Sequence, residues 1–327
     1  MLLITAGVFC GAAEKPVLLS DYSKWRDPVR INIKREKTHV KLSVKGGDSF
    51  FTIRDLDIDA QTYDTIEFEY RAKGIPAQNA GQLYFAGAGQ SFGPQRYFVL
   101  QNLRPDWQWH TVTLTTPRHG RNSWTGVGKV NRLRLDITDC KSGEFEIRNF
   151  RLISRKSEEC IVPGEDDFAD VSVKHLHVAR MGKKHKNPFW IGKSNRFDHR
   201  HRGLFRFPLE KLIPRGEVKK AVLELRLLWY SGPVYEREYA VLLLKSDIQK
   251  LKALDVRADA VEIGRVKMGK YSSCETVKLD VTQKINEVLS RVQTGLTLRI
   301  QPVPEENLDP GPSGAVVNLD SVRLVIE

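Results

Sequence analysis

The chain has 327 residues, of which 41% are hydrophobic and 28% charged, and its formal net charge is +12. This composition is typical of a globular protein long enough for two domains, and it excludes wholesale disorder. No apolar run reaches the length of roughly 18 residues that a membrane-spanning helix needs, so we expect no integral membrane segment.

Residues 1–15 look like the end of a secretory signal. An apolar run from Leu2 to Phe9 is followed by small residues at 11–13, although no basic residue precedes it. We therefore expect a secreted or periplasmic protein. A disordered or edge-strand N-terminus is the alternative.

Alternating apolar and polar residues predict an all-β first domain over residues 16–155, because side chains alternate between the two faces of a strand. Gly-, Asp- and Pro-rich turns separate the runs at the spacing of a β-sandwich. The predicted strands cover residues 29–33, 39–44, 65–71, 82–86, 96–100, 111–114, 132–137 and 144–153.

Aromatic residues are the candidate ligand contacts of this domain, since the apolar face of a sugar ring can stack on an exposed aromatic ring. Arg96 and Tyr97 follow a glycine-rich loop that begins at residue 87. Trp107 and Trp109 share one face at a strand start, so one could be core while the other lines a groove. Trp124 is expected to be a packing residue.

Residues 156–165 are short and polar, contain Pro-Gly, and read as a linker. Cys140 and Cys160 lie on either side of the predicted last strand of the first domain. They could pair across a sheet edge in an oxidising compartment.

A second β-sandwich is predicted over residues 166–327. Residues 203–207 form a short β-prone run, and alternation resumes over residues 218–227 after a turn that contains Pro214 and Gly216. One helix is expected near residues 281–292, where apolar side chains recur on one face.

A strongly basic stretch lies within this second domain. Between Lys174 and Lys220 there are 14 Lys and Arg residues against 3 acidic residues. Such clustering favours a polyanionic partner, although a solvated face that keeps the protein soluble is the alternative. The candidate contacts are Lys184, His185, Lys193, Arg200, Arg202 and Arg206.

The order of motifs in the second domain resembles the DNRLRE-type carbohydrate-binding β-sandwich modules. The motifs are Ile191-Gly192, Arg202-Gly203-Leu204-Phe205-Arg206-Phe207-Pro208-Leu209, Pro214-Arg215-Gly216, Ala221-Val222-Leu223-Glu224-Leu225 and Leu279-Asp280-Val281-Thr282. The first domain ends on Trp124-Thr125-Gly126-Val127, Leu133-Arg134-Leu135-Asp136 and the run from Gly143 to Leu152, which resembles the last strands of jelly-roll carbohydrate-binding modules. Together the two resemblances imply an all-β chain of two tandem antiparallel β-sandwich (jelly-roll) domains.

The resemblances also imply a structural calcium ion, because such modules often hold Ca²⁺ near their termini. By this analogy Asp21, Asp166 and Asp167 are the candidate ligands. His175 with His177, and His199 with His201, have the spacing of a metal clip, but their cationic neighbours disfavour a metal.

No hydrolase elbow, phosphate-binding loop, dinucleotide fingerprint or zinc-protease motif occurs in the sequence. We therefore expect a non-catalytic, extracellular protein that binds an acidic (uronate or sulfated) polysaccharide and requires no cofactor. The enzymatic alternative is a jelly-roll lyase for acidic glycans, using Tyr84, Arg96, Tyr97 and His110. Nucleic acid is not expected as the partner, since no nucleic-acid-binding module surrounds the basic residues.

Overall fold

The computed structural model describes residues 15–63, 65–93, 96–115, 124–154, 159–161, 163, 167–172, 178–181, 189–193, 200–227, 229–232, 236–246, 248–271, 275–304, 313–317 and 322–327. The strands of its first half are β1 (Val17–Leu18), β2 (Trp25–Val29), β3 (Ile31–Arg35), β4 (Val40–Val44), β5 (Ser49–Ile53), β6 (Ile58–Asp59), β7 (Thr65–Lys73), β8 (Ala80–Ala86), β9 (Tyr97–Gln101), β10 (His110–Thr115), β11 (Lys129–Val130), β12 (Arg132–Thr138) and β13 (Gly143–Ile153).

These strands form two main antiparallel sheets that enclose one core. The first sheet has the order β10-β7-β13-β4-β3, with β1 also paired to β13, and the second has the order β2-β5-β12-β8-β9. Strand β7 shows why the core lies between the sheets: Phe68 and Tyr70 are buried, whereas Glu67, Glu69 and Arg71 point outward. The period-two pattern thus gives each sheet one apolar inner face.

The second half is also built from strands. They are β14 (Glu159–Ile161), β15 (Phe168–Ser172), β16 (Val178–Met181), β17 (Phe189–Lys193), β18 (Arg200–Pro208), β19 (Ala221–Arg226), β20 (Trp229–Ser231), β21 (Arg237–Leu244), β22 (Ala260–Met268), β23 (Thr276–Asp280), β24 (Gly295–Val303), β25 (Ser313–Val317) and β26 (Val322–Ile326). Helix α1 covers Thr282–Ser290 and buries Ile285, Val288 and Leu289.

Two sheets again face each other in this half, with the orders β14-β26-β19-β23 and β20-β25-β17-β18-β24-β21-β22. Their shared core contains Phe205, Phe207, Leu223 and Leu298 and has no residue in common with the core of the first half. The predicted all-β fold of tandem antiparallel sandwiches is therefore confirmed. The exact domain boundaries stay a prediction, since most of the predicted linker lies outside the described residues.

The described residues of a segment over residues 245–259 lie on the outer face of β18 and β24. Leu251 and Val256 of this segment pack against Leu204, and together they form a small separate apolar cluster. Strand β18 is consequently buried on both faces. We call residues 245–259 the covering segment.

Polar contacts connect the two halves. Arg104 donates from Nε and Nη2 to the Glu275 carboxylate at 2.9 and 3.2 Å, and its guanidinium lies 4.9 Å from the centre of the Tyr271 ring. The side-chain amide of Asn102 donates to the carbonyl oxygen of Lys270 at 3.0 Å.

Two further expectations concern cysteine and the membrane. Cys140 is a free thiol, so the disulfide to Cys160 is not formed. The reason is topological: Cys140 follows β12 in the first half, whereas Cys160 belongs to β14, which pairs with β26. Within the described ranges, no helix is long and apolar enough to cross a membrane.

Candidate functional site

The outer face of the second sheet carries a row of side chains that crosses all five strands. Its members face one another in register: Arg26 opposite Thr52, Thr52 opposite Arg134, Arg134 opposite Tyr84, and Tyr84 opposite Tyr97. Because strands are about 4.8 Å apart, this row spans roughly 19 Å. We call the surface around it, with its four aromatic residues Phe50, Tyr84, Phe92 and Tyr97, the aromatic face.

The four aromatic side chains of this face are half-buried rather than covered. The Tyr84 ring centre lies 5.3 Å from that of Tyr97 and 6.4 Å from that of Phe92. The Arg134 guanidinium contacts two of these rings, at 3.7 Å from the centre of Phe50 and 5.3 Å from the centre of Tyr84. The outer side of the sheet is therefore a continuous, partly exposed aromatic surface.

Fixed polar groups lie among these rings. Arg134 donates from Nε and Nη2 to the two carboxylate oxygens of Asp136, both at 2.7 Å, and Nη2 also reaches Asp48 at 3.1 Å. The Tyr84 hydroxyl donates to the side-chain oxygen of Gln82. These contacts hold donors and acceptors in place before any ligand arrives.

Burial changes the titration of two of these groups. Desolvation raises the pKa of the Asp136 carboxyl, and the ion pair with Arg134 only partly opposes it. Desolvation, followed by the charge of Asp136, also raises the pKa of Tyr84. Tyr84 therefore stays protonated and can donate a hydrogen bond over the whole neutral range.

A recess of about 590 Å³ opens beside the aromatic face. It is lined by Gly89, Gln90, Ser91, Phe92, Asn131 and Arg132. Gln90 joins two arginines here: its side-chain oxygen accepts from Arg96 Nη1 at 2.6 Å, and its carbonyl oxygen accepts from Arg132 Nη2. The predicted contacts Arg96 and Tyr97 thus lie at the edge of one continuous surface.

Trp107 and Trp109 lie on the outer face of the other sheet. The Arg71 guanidinium lies 4.7 Å from the centre of Trp107 and 5.0 Å from that of Trp109. Lys73 approaches Trp107 at 4.6 Å, and Arg148 approaches Trp109 at 4.0 Å. The sequence placed these tryptophans in one candidate set with Tyr97, but the structure puts the two groups on opposite sides of the sandwich.

Two of the predicted basic contacts in the second half donate hydrogen bonds to the covering segment. Arg206 is only 6% exposed, donates from Nε to the carbonyl oxygen of Ile248 at 2.7 Å, and lies 3.4 Å from Asp167. Arg202 donates to the carbonyl oxygen of Val256 at 2.6 Å. Their side chains point away from Phe205, as predicted. The covering segment lies on this face, so that Arg206 is buried and Arg202 is half-buried.

The structure describes two of the four remaining basic candidates. Lys193 and Arg200 face each other in register across β17 and β18, and both are half-buried. Lys184 and His185 lie outside the described residues. Among the described members of this set, the structure therefore places Lys193 and Arg200 directly opposite each other on neighbouring strands.

Of the predicted calcium ligands, Asp21 lies in the first half and Asp167 in the second. Asp21 is exposed and accepts from the backbone and hydroxyl of Ser23, whereas Asp167 faces Arg206. Asp166 lies outside the described residues, as do His175, His177 and His199. In the part of the chain that the structure describes, no three His, Cys, Asp or Glu side chains are grouped as metal ligands.

Sequence reasoning missed several residues of the aromatic face, namely Phe50, Gln90, Arg132 and Arg134. Arg132 and Arg134 alternate with the core residues Leu133 and Leu135, and this signal alone was sufficient to place them on the outside. Nothing local indicated that Phe50 would stack against Arg134, because their strands are far apart along the chain.

Comparisons with known proteins give a limited picture. No family model matches the chain, and no characterised protein matches it significantly. Among solved structures, the family 11 carbohydrate-binding module from Clostridium thermocellum, in complex with a β-1,3-1,4-mixed-linked tetrasaccharide, is 18% identical, covers 44% of this chain and 97% of the module, and has a TM-score of 0.33.

Two further solved structures are similar over the same share of the chain. A structure described as CBM4 is 12% identical, with coverage of 41% of this chain and 96% of that one and a TM-score of 0.29. The xylan-binding module CBM86 from Roseburia intestinalis is 12% identical, with coverage of 39% and 88% and a TM-score of 0.27. These scores are low, so the function has to be inferred from the side chains of this chain.

Proposed function

We propose that this protein binds a polysaccharide, without cleaving it, through the aromatic face. The supporting observation is the cluster of half-buried rings on the outer face of a sheet, where a solvated sandwich normally carries polar side chains. Aromatic rings offer large apolar surfaces that are rigid on binding, and the polar groups between them can orient a ligand. The row is also long enough for several consecutive sugar rings.

Two polar residues of the face suit sugar hydroxyl groups. Asp136 offers carboxylate lone pairs and Gln82 an amide, and both are already held by Arg134 and Tyr84 respectively. Groups fixed in this way lose little conformational freedom when a ligand binds. The affinity can therefore come from rings and hydrogen bonds together.

The lyase alternative is disfavoured by the position of His110. Tyr84 and Tyr97 belong to the aromatic face and Arg96 lies at its edge, but His110 begins β10 in the other sheet. Its Nε2 lies 2.8 Å from the Asp106 carboxylate. The four residues that the lyase would need are therefore not in one site.

We further propose that the polysaccharide is acidic, that the protein acts outside the cytoplasm, and that the second half is a DNRLRE-type module. The net charge of +12 supports the first proposal, the apolar leader-like residues 2–9 the second, and the ordered motifs from Ile191 to Thr282 the third. Salt should weaken the binding, because ionic contacts at a protein surface are screened.

The test is calorimetry and affinity electrophoresis of the full chain with a panel of neutral and acidic polysaccharides. Tyr84→Ala and Tyr97→Ala should each weaken binding about 10-fold, since burial of one large apolar side chain contributes about 1.5–3 kcal/mol. Trp109→Ala, on the opposite sheet, is the matched control and should bind as the wild type does.

Two results would contradict this function. The first is no binding to any polysaccharide of the panel. The second is sustained release of unsaturated ends, followed by ultraviolet absorbance, which would identify a lyase.

A further inference from the structure

We propose that the recess beside the aromatic face is a subsite for a negatively charged substituent of the polysaccharide, a carboxylate or a sulfate, and that Arg132 and Arg96 bind it. This inference rests on the proposed function and assigns its charge selectivity to one place. That place is in the first half of the chain, outside the basic stretch between Lys174 and Lys220.

The first argument is the charge in and beside the recess: Arg132 lines it, and Arg96 contacts the lining residue Gln90. Among the described residues, no carboxylate pairs with Arg132 or Arg96, and both side chains are held by the neutral residue Gln90. Arg134, two residues along the same strand, is neutralised by Asp136 and Asp48. Two neighbouring guanidinium groups without a counter-charge create a local positive potential that attracts an anion.

The second argument is preorganisation. The Arg132 guanidinium lies 5.2 Å from the centre of the Phe92 ring, and it donates a hydrogen bond to the Gln90 carbonyl oxygen. Arg96 likewise donates from one nitrogen, at 2.6 Å. Since a guanidinium has five N–H donors in a planar fork, each side chain keeps further donors for a two-point contact with anionic oxygens.

The third argument is continuity with the aromatic face. Phe92 lines the recess, and its ring centre lies 6.4 Å from that of Tyr84. Arg132 and Arg134 project from the same side of β12 because they are two residues apart. A sugar ring stacked on Tyr84 can therefore extend a charged substituent into the recess.

The experiment compares matched charged and uncharged ligands. The carboxylate pair is polygalacturonate and its methyl ester, and the sulfate pair is dextran sulfate and dextran. Wild-type protein should prefer the charged member of at least one pair. Arg132→Gln and Arg96→Gln should each lower affinity for that member about 10-fold or more, because each variant removes a charged, two-point hydrogen-bond donor for the anionic oxygens.

The same variants should leave affinity for the uncharged member within about twofold, and the salt dependence of charged-ligand binding should become shallower. Arg291→Gln removes the same charge from an exposed position at the end of α1 and should change nothing. A melting temperature equal to that of the wild type shows that a variant is folded. If Arg132→Gln does not fold, Arg96→Gln alone tests the subsite.

The outcomes separate the two proposals. Suppose that the wild type binds polysaccharides and that Tyr84→Ala weakens this binding, but that both arginine variants keep full affinity for the charged ligand. The subsite proposal is then wrong, and the proposed binding through the aromatic face is retained. An equal loss for charged and uncharged members would also overturn the subsite. Failure of the wild type to bind any ligand would overturn both proposals.

Discussion

At the scale of single residues, the aromatic face depends on how β12 and β8 fit together. The pairing of β12 with β5 shifts between Leu135 and Thr138, so that β12 is irregular there. Gly81 of β8 lies at this irregularity, and a Cβ on Gly81 would come within 2.5 Å of the carbonyl oxygens of Asp136 and Ile137. The absence of a side chain at residue 81 lets β12 approach closely enough to present Asp136.

Gly81→Ala should consequently destabilise the protein by about 1–3 kcal/mol, the usual cost of forcing an extra methyl group into a packed interior. Urea unfolding followed by tryptophan fluorescence measures this change. Gly47→Ala is the matched control, because its Cβ would meet its nearest atom only at 3.8 Å, and it should cost much less. Equal stability of the two variants would show that β12 can move to make room.

The Asp136 carboxyl predicts a pH effect whose sign follows from its raised pKa. Because the folded state holds this proton more tightly than the unfolded state, its contribution to folding is favourable at low pH and is lost as pH rises through the folded pKa. The Asp136→Asn variant has no ionisable carboxyl at this position, so its stability does not fall with pH for this reason. The free energy of unfolding of Asp136→Asn, relative to wild type, should therefore increase as pH rises above about 4, by less than about 1.4 kcal/mol per pH unit. Urea titrations at several pH values test this, and a difference that falls with pH would contradict it.

At the scale of elements, the covering segment decides which face of the second half meets solvent. Three arginines of β18 and β24 donate to its backbone: Arg206 to Ile248, and Arg202 and Arg299 to Val256. Backbone carbonyls of an irregular segment need such partners when they are buried. Arg206 and Arg202, which the sequence suggested as ligand contacts, thus donate hydrogen bonds to the backbone of the covering segment.

Arg206→Gln should destabilise the second half by about 3 kcal/mol, because it breaks the ion pair of the buried Arg206 with Asp167 and removes the hydrogen bond to the Ile248 carbonyl. Hydrogen exchange should become faster over residues 245–259. Exposed Arg291→Gln serves as the control and should change neither quantity. Stability equal to the wild type, together with weaker polysaccharide binding, would instead restore Arg206 as a ligand contact.

At the scale of the whole molecule, the loop between β9 and β10 connects the two halves through Arg104. Its guanidinium makes a two-point ion pair with Glu275, reaches Glu236 at 3.7 Å, and lies over Tyr271. The Arg104 backbone N–H donates to the Tyr70 hydroxyl at 2.8 Å, which fixes the start of the side chain against the first core.

A double-mutant cycle of Arg104→Gln and Glu275→Gln should give a coupling energy of about 1 kcal/mol, the upper part of the range for partly exposed pairs. Differential scanning calorimetry should show the two halves unfolding less cooperatively in either single variant than in the wild type. A coupling energy of zero, with unchanged calorimetric traces, would show that this ion pair does not link the halves.

The sequence by itself determined the strands and the direction of most side chains. Period-two alternation is a local property, so it predicted β7, β12 and β13 with small errors at their ends. The helical period predicted α1 in the same way.

Tertiary structure alone decided which outward-facing residues stay accessible. Arg206 and Tyr84 both point away from a core, yet one is buried by the covering segment and the other lies on the aromatic face. Likewise, Trp109 and Tyr97 were indistinguishable as exposed aromatics until the strand order put them in different sheets. Alternation depends on neighbouring residues, whereas accessibility depends on which distant segment packs against a face, and no local pattern encodes that choice.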